Sequence, residues 1–83
     1  MVLKVLGDTS KFEILQLLGK ETSYGAQLAE KLHLSTPTIS YHMQALINAR
    51  FVIFEKKQNR LYYRMNKEYL QYFLKQVEER LGV

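Results

Sequence analysis

YGAQLAEKLHLSTPTISYHMQALINA, residues Tyr24 to Ala49, holds two helical patterns separated by a short break. The first helix is expected from about Tyr24 to Leu32, with Leu28 and Leu32 turned inward and Ala29 small enough for a second helix to cross closely. His33-Leu34-Ser35 is the break. Ser35 is placed to cap the second helix, its hydroxyl accepting a backbone N–H that the helix cannot pair. Pro37 falls in the first turn, where a missing N–H costs nothing. Ile39, Met43, Leu46 and Ile47 recur at helical spacing as the inward stripe, and Pro37, Thr38, Tyr41, Gln44 and Asn48 are left facing outward. A helix pair of this kind is what laying one helix in a DNA major groove requires.

The flanks extend the pattern. Upstream, Met1 to Leu6 is a short apolar lead, expected as one helical turn or an extended arm. Asp8 or Ser10 can cap the next helix, and Ser10-Lys11-Phe12-Glu13 has capping-box spacing. Phe12, Ile14, Leu15, Leu17 and Leu18 make that helix apolar on more than one side, so a central, buried element is expected, ending at Gly19 or Lys20. Downstream, Phe51-Val52-Ile53-Phe54 and Leu61-Tyr62-Tyr63-Arg64-Met65 are β-branched and aromatic and enclose Lys56-Lys57-Gln58-Asn59-Arg60, which predicts a β-hairpin with a charged tip. Tyr62 and Tyr63 must point to opposite faces, one into the core. Asn66 opens a last helix to Leu81, with Tyr69, Leu70, Phe73, Val77 and Leu81 in one stripe flanked by Tyr72, Gln76 and Arg80.

Eighty-three residues suit one domain, residues 1–83, near the size at which extra buried area from a partner becomes valuable. The aromatic last helix can cover its own core or pair with a twin. Pairing through Tyr69, Leu70, Phe73 and Val77 is favoured, because symmetric dimers are the commonest assembly. The net charge of +4 suggests an anionic partner. With no cysteine, disulfides, thiolate metal sites and thiol redox switches within these residues are excluded. No apolar run approaches the ~18 residues of a membrane span and the start lacks a cleavable-leader pattern, so a cytoplasmic, membrane-free location is expected.

The order helix, helix, helix, hairpin, helix resembles the winged helix-turn-helix, and the residues resemble the ArsR/SmtB family of prokaryotic transcriptional repressors. Val5-Leu6-Gly7-Asp8-Thr9-Ser10-Lys11-Phe12-Glu13-Ile14-Leu15 stands where that family has its "aLgdptRl.IL" opening. Leu28 to Met43, LAEKLHLSTPTISYHM, is similar to its "LAe.LglSqptvShHL" core, and Leu61 to Met65 to its "vyYrl" second wing strand. The resemblance runs from Val5 to about Leu81 and has four departures. Ser23 to Ala29, SYGAQLA, replaces the family's cysteine motif, and the last helix has no histidine for the interfacial zinc site, so neither metal nor cofactor is expected. His33 replaces the turn glycine and Arg50 the glycine after the second helix; histidine is among the residues enriched at positive φ, whereas arginine there is expected to carry strain. The helix that commonly precedes the opening motif is almost missing.

The resemblance implies a mainly α (α+β) fold: three to four helices plus a two-stranded β-hairpin wing. The helix-turn-helix would span about 24–49, the wing about 51–65 and a C-terminal dimerisation helix about 66–81. It implies a homodimer binding double-stranded DNA as a repressor at an imperfect palindrome, without enzymatic activity. Recognition-helix candidates are Thr36, Pro37, Thr38, Ser40, Tyr41, His42 and Gln44. A glutamine amide can pair with adenine N6 and N7, a threonine can touch a thymine methyl, and serines and threonines can position the protein on phosphates. Wing candidates are Lys56, Lys57 and Arg60, cations projected at the backbone beside the contacted groove. Against each stands a plainer role: a solvated polar face, a cap for Ser35, a flank histidine for His42, a charged turn for the wing. His33 and His42 have no acidic or thiol partner in the sequence pattern for a metal, and Ser40 and His42, two apart on a helix, make no catalytic pair. The alternative is a winged-helix module that binds a protein partner through the last helix.

Overall fold

The computed structural model describes residues 8–83; the apolar lead Met1 to Leu6 lies outside the described residues. Four helices and three strands follow in the order α1 (Thr9–Lys20), β1 (Ser23–Tyr24), α2 (Gly25–Leu32), α3 (Thr36–Asn48), β2 (Val52–Lys57), β3 (Arg60–Met65) and α4 (Lys67–Leu81).

Asp8, not Ser10, caps α1: the Lys11 backbone N–H donates to Asp8 Oδ1 at 3.1 Å, leaving Ser10 inside the first turn and the capping box unformed. The inward face of α1 is Lys11, Ile14, Leu15 and Leu18, one stripe at helical spacing. Phe12, expected in the core, is 50% exposed because it lies about 100° round the helix from Lys11.

The turn after α2 closes through His33, which takes the left-handed conformation (φ 56) so that the Leu34 N–H can reach back to the Ala29 carbonyl at 3.0 Å. The same device ends α3. Arg50 (φ 70) turns the chain while the Phe51 N–H donates to the Leu46 carbonyl, and Phe51 enters the core. Left-handed geometry costs a non-glycine residue about 1–2 kcal/mol, a cost offset here by the complete burial of the ring that follows.

Ile14, Leu15, Leu18, Leu28, Ala29, Ile39, Met43, Leu46, Phe51, Val52 and Tyr63 form the core. Of the adjacent tyrosines, Tyr63 is the buried one and its hydroxyl pKa is raised by that burial; Tyr62 lies on the opposite face, half-buried.

The sheet has three strands rather than the expected two. Its order is β1-β3-β2, all antiparallel, with Ser23 opposite Tyr63 and Tyr24 opposite Tyr62. Tyr24, expected as the first residue of a helix, is therefore a strand residue and the N-cap of α2. The hairpin pairs Val52 with Met65 through Lys57 with Arg60, leaving Gln58 and Asn59 as a two-residue loop. Both have positive φ (50 and 65), the signature of a type I′ turn whose twist matches that of the strands.

Asn66 caps α4 by accepting the Tyr69 backbone N–H at 3.1 Å. Tyr69 and Phe73 pack their rings against Phe51 at centroid distances of 5.7 and 5.6 Å, yet no residue of α4 is fully buried. Of the two expected uses of this helix, covering its own core is the one that these contacts show. Tyr69, Leu70 and Phe73 lean on the domain's own core, while Tyr72 and Leu81 are exposed.

Candidate nucleic-acid interface

The outward face of α3 is built from its cap upward. The Thr38 backbone N–H donates to Ser35 Oγ at 3.2 Å and the two hydroxyl oxygens lie 2.8 Å apart, so Thr38 is half-buried in the cap and only partly available to a ligand. Thr36, Pro37, Ser40, Tyr41 and Gln44 are exposed, as expected, with Asn48 continuing the face. Tyr41 is 70% exposed; the Lys11 ammonium sits 5.3 Å from its ring centroid, a cation–π contact that ties the second helix of the motif to α1. The Gln44 side-chain amide donates to Asn48 Oδ1 at 3.2 Å, which holds it along the helix and leaves its carbonyl oxygen free to accept.

His42 departs from expectation. It is 9% exposed and belongs to the buried set of α3 with Ile39, Met43 and Leu46, so it does not join the outward face. The signal was present: position 42 is three after Ile39 and four before Leu46, which is inward spacing. Its Nδ1 is buried without a hydrogen-bond partner. Burial first, and then the positive charge of Lys11, lower its pKa below 6.5, while the Asp8 carboxylate opposes them. Asp8 is itself held below 3.8, chiefly by the Lys11 backbone N–H. Its side chain also meets the Lys11 ammonium at 3.4 Å.

The sign of the resulting pH dependence is fixed. Above 6.5 both folded and unfolded histidine are neutral; as pH falls through that value the unfolded chain takes up a proton that the folded chain resists, so stability declines. His42→Met should keep stability at neutral pH and reduce its loss between pH 7 and 5, as measured by urea denaturation at each pH. An unchanged decline in that variant would show that His42 is not its source; Asp8, held below 3.8, acts only in more acid solution.

On the wing, Lys56, Lys57, Arg60 and Arg64 are all exposed. Alternation separates them. Lys57, Arg60, Tyr62 and Arg64 lie on the sheet face that also carries Tyr24, whereas Lys56 shares the opposite face with Phe54 and Leu61. Lys57 meets Glu55 at 3.4 Å, a largely solvent-exposed pair worth little. Arg60 does not extend freely from the tip: its guanidinium carbon lies 4.1 Å from the Tyr24 ring centroid. Tyr24 in turn meets Tyr62 edge-on at 5.7 Å. This contact could not be read from the hairpin alone, because it depends on the two-residue strand β1.

Among the described residues no group of three or more histidine, cysteine, aspartate or glutamate side chains is arranged to hold a metal ion, and no helix is long and apolar enough to cross a membrane. The structure thus presents an exposed polar helix face beside a basic hairpin.

Comparison with known proteins agrees with that architecture. Residues 8–53 match the family model described as bacterial regulatory protein, arsR family. The arsenical resistance operon repressor of Staphylococcus xylosus is 39% identical over 71 residues, covering 86% of this chain and 68% of that relative. Among solved structures, an ArsR-like transcriptional regulator from Rhodococcus sp. RHA1 superposes with a TM-score of 0.88 at 30% identity, covering 98% of this chain and 73% of the other. A homodimeric winged helix-turn-helix DNA-binding domain from Mycobacterium bovis gives a TM-score of 0.79 at 25% identity, covering 98% and 75%. The motif resemblance, the winged helix-turn-helix fold and the family match converge, and the chain belongs to the arsR family of bacterial regulatory proteins, which are DNA-binding regulators and not enzymes.

Proposed function

We propose that the chain is a sequence-specific, dimeric transcriptional repressor that binds an imperfect palindrome in double-stranded DNA. The observation that carries this is the placement of exposed Pro37, Ser40, Tyr41 and Gln44 on one face of α3, next to a hairpin bearing Lys56, Lys57 and Arg60. Gln44 and Tyr41 supply base-edge contacts, Thr36 and Ser40 phosphate contacts, and the wing cations grip the flanking backbone. Two-fold pairing through α4 would set two recognition helices about 34 Å apart, one turn of DNA, and repression follows from occupying promoter DNA. Support for pairing comes from the homodimeric Mycobacterium bovis domain and from the apolar surface of Tyr72, Val77 and Leu81. No thiolate sensor can be made from these cysteine-free residues, so the arsenical response in the staphylococcal relative's name is not carried over.

Selection of binding sites from random duplex DNA tests palindromy and half-site spacing together. On the selected site, affinity should fall steeply with salt, and Lys57→Ala with Arg60→Ala should lower the log–log slope by about 1 for each phosphate that the variant no longer neutralises. A folded dimer with no duplex binding at low salt would leave the protein-interaction module as the better reading.

A further inference from the structure

We propose that Tyr24 is a positioning residue for DNA binding, a platform that holds the Arg60 guanidinium at a fixed place on the wing so that its N–H edge meets a phosphate. The inference rests on the DNA-binding reading above and adds to it a residue outside both the recognition helix and the hairpin tip.

The geometry begins with pairing. Tyr24 opposes Tyr62 across β1 and β3, and Arg60 is two residues from Tyr62 on the same strand, so all three side chains share one sheet face. Tyr62 stands edge-on to Tyr24, with an interplanar angle of 80°, and buttresses its ring. The same ring also meets Arg60, with the guanidinium carbon 4.1 Å from the centroid. A guanidinium has two separate means of interaction. Its flat face attracts the negative face of an aromatic ring, and its rim carries five N–H donors that match a phosphate. Stacking on Tyr24 uses the first and leaves the second. Among the described residues the Arg60 side chain makes no hydrogen bond or ion pair, and the residue is exposed. Lys57 has no such platform and shares its charge with Glu55.

Tyr24 also connects two parts of the fold. It is the last residue of β1 and the N-cap of α2, in extended geometry (φ −113, ψ 164). The Arg60 charge is thereby referenced to the root of the helix-turn-helix rather than to the two-residue loop at Gln58 and Asn59. An arginine held in its binding rotamer loses less side-chain freedom when it meets DNA, so pre-ordering translates into affinity.

The test uses the full chain and its selected operator duplex, with Tyr24→Phe, Tyr24→Leu, Arg60→Ala and the Tyr24→Leu/Arg60→Ala pair. Tyr24→Phe keeps the ring face and should bind like the wild type. Tyr24→Leu should weaken binding about two- to five-fold, the range expected for an exposed cation–π contact, and should cost nothing further once Arg60 is alanine. In the free protein, NMR should show the Arg60 δ protons shifted upfield by the ring, a shift kept in Tyr24→Phe and abolished in Tyr24→Leu; this readout does not depend on DNA. Equal losses from Tyr24→Leu with and without Arg60 would overturn the proposal by showing that Tyr24 acts through the fold. Wild-type affinity in Arg60→Ala, with Lys57→Ala still weakening binding, would overturn it while leaving the DNA reading intact. Absence of duplex binding by the wild type would overturn both.

Discussion

Phe51→Ala should cost about 3–5 kcal/mol and leave the monomer largely unfolded in mild denaturant, because a fully buried aromatic side chain is replaced by a cavity that its neighbours cannot fill. A chain of this size has a total stability of roughly 4–12 kcal/mol, so the loss is a large fraction of the whole. Phe51 is the point at which three parts of the fold meet. Its N–H donates to the Leu46 carbonyl at the end of α3, its carbonyl accepts the Asn66 N–H at 2.8 Å where α4 begins, and its ring contacts Tyr69 and Phe73. Removing the ring should therefore loosen the docking of α4 as well as the core. The midpoint of urea denaturation gives the size of the effect, and Phe51→Leu, which keeps most of the volume, should cost less than half as much. A loss below about 1 kcal/mol for Phe51→Ala would mean that α4 does not seat through this ring.

Phe51 also shows how much of the fold was legible in the sequence. The helix-turn-helix was readable because its signals are local: Ser35 as cap, Pro37 in the first turn, His33 at the break and the spacing of Ile39, Met43 and Leu46. The hairpin was equally local. What escaped was non-local or ran against residue type. Strand β1 is only Ser23–Tyr24, too short for any periodic pattern, and exists because β3 offers an edge to pair with. Lys11 and His42 occupy inward positions by spacing, but their polarity argued for the surface. Phe12 runs in the opposite direction, an apolar residue on an outer face. The site was legible to the same degree. Its exposed helix face and its basic wing were visible in the sequence, whereas the Arg60–Tyr24 stack required a strand pairing that only the folded chain reveals.

The larger consequence concerns α4. If the proposed pairing through α4 holds, Val77→Glu should convert the dimer to a monomer and lower affinity for a palindromic operator by about 100-fold or more, since two linked half-site contacts become one. Val77 is the suitable position because it lies beyond the part of the helix that packs against the domain's own core. Tyr69 and Leu70 lean inward, Phe73 both packs on the core and lines a shallow apolar groove, and Tyr72, Val77 and Leu81 line that groove with it, Leu81 being 71% exposed. A glutamate at 77 can therefore be solvated in the monomer, and circular dichroism should show the helix content unchanged. Across a two-fold axis the same glutamate would meet its own copy or an apolar side chain, and a buried, unpaired charge is strongly unfavourable. Val77→Leu supplies the control, which should remain dimeric. Light scattering and operator titration at matched salt must move together: a monomeric Val77→Glu that binds the palindrome with wild-type affinity would refute pairing as the basis of recognition, and a persistent dimer would place the interface on another surface of the chain.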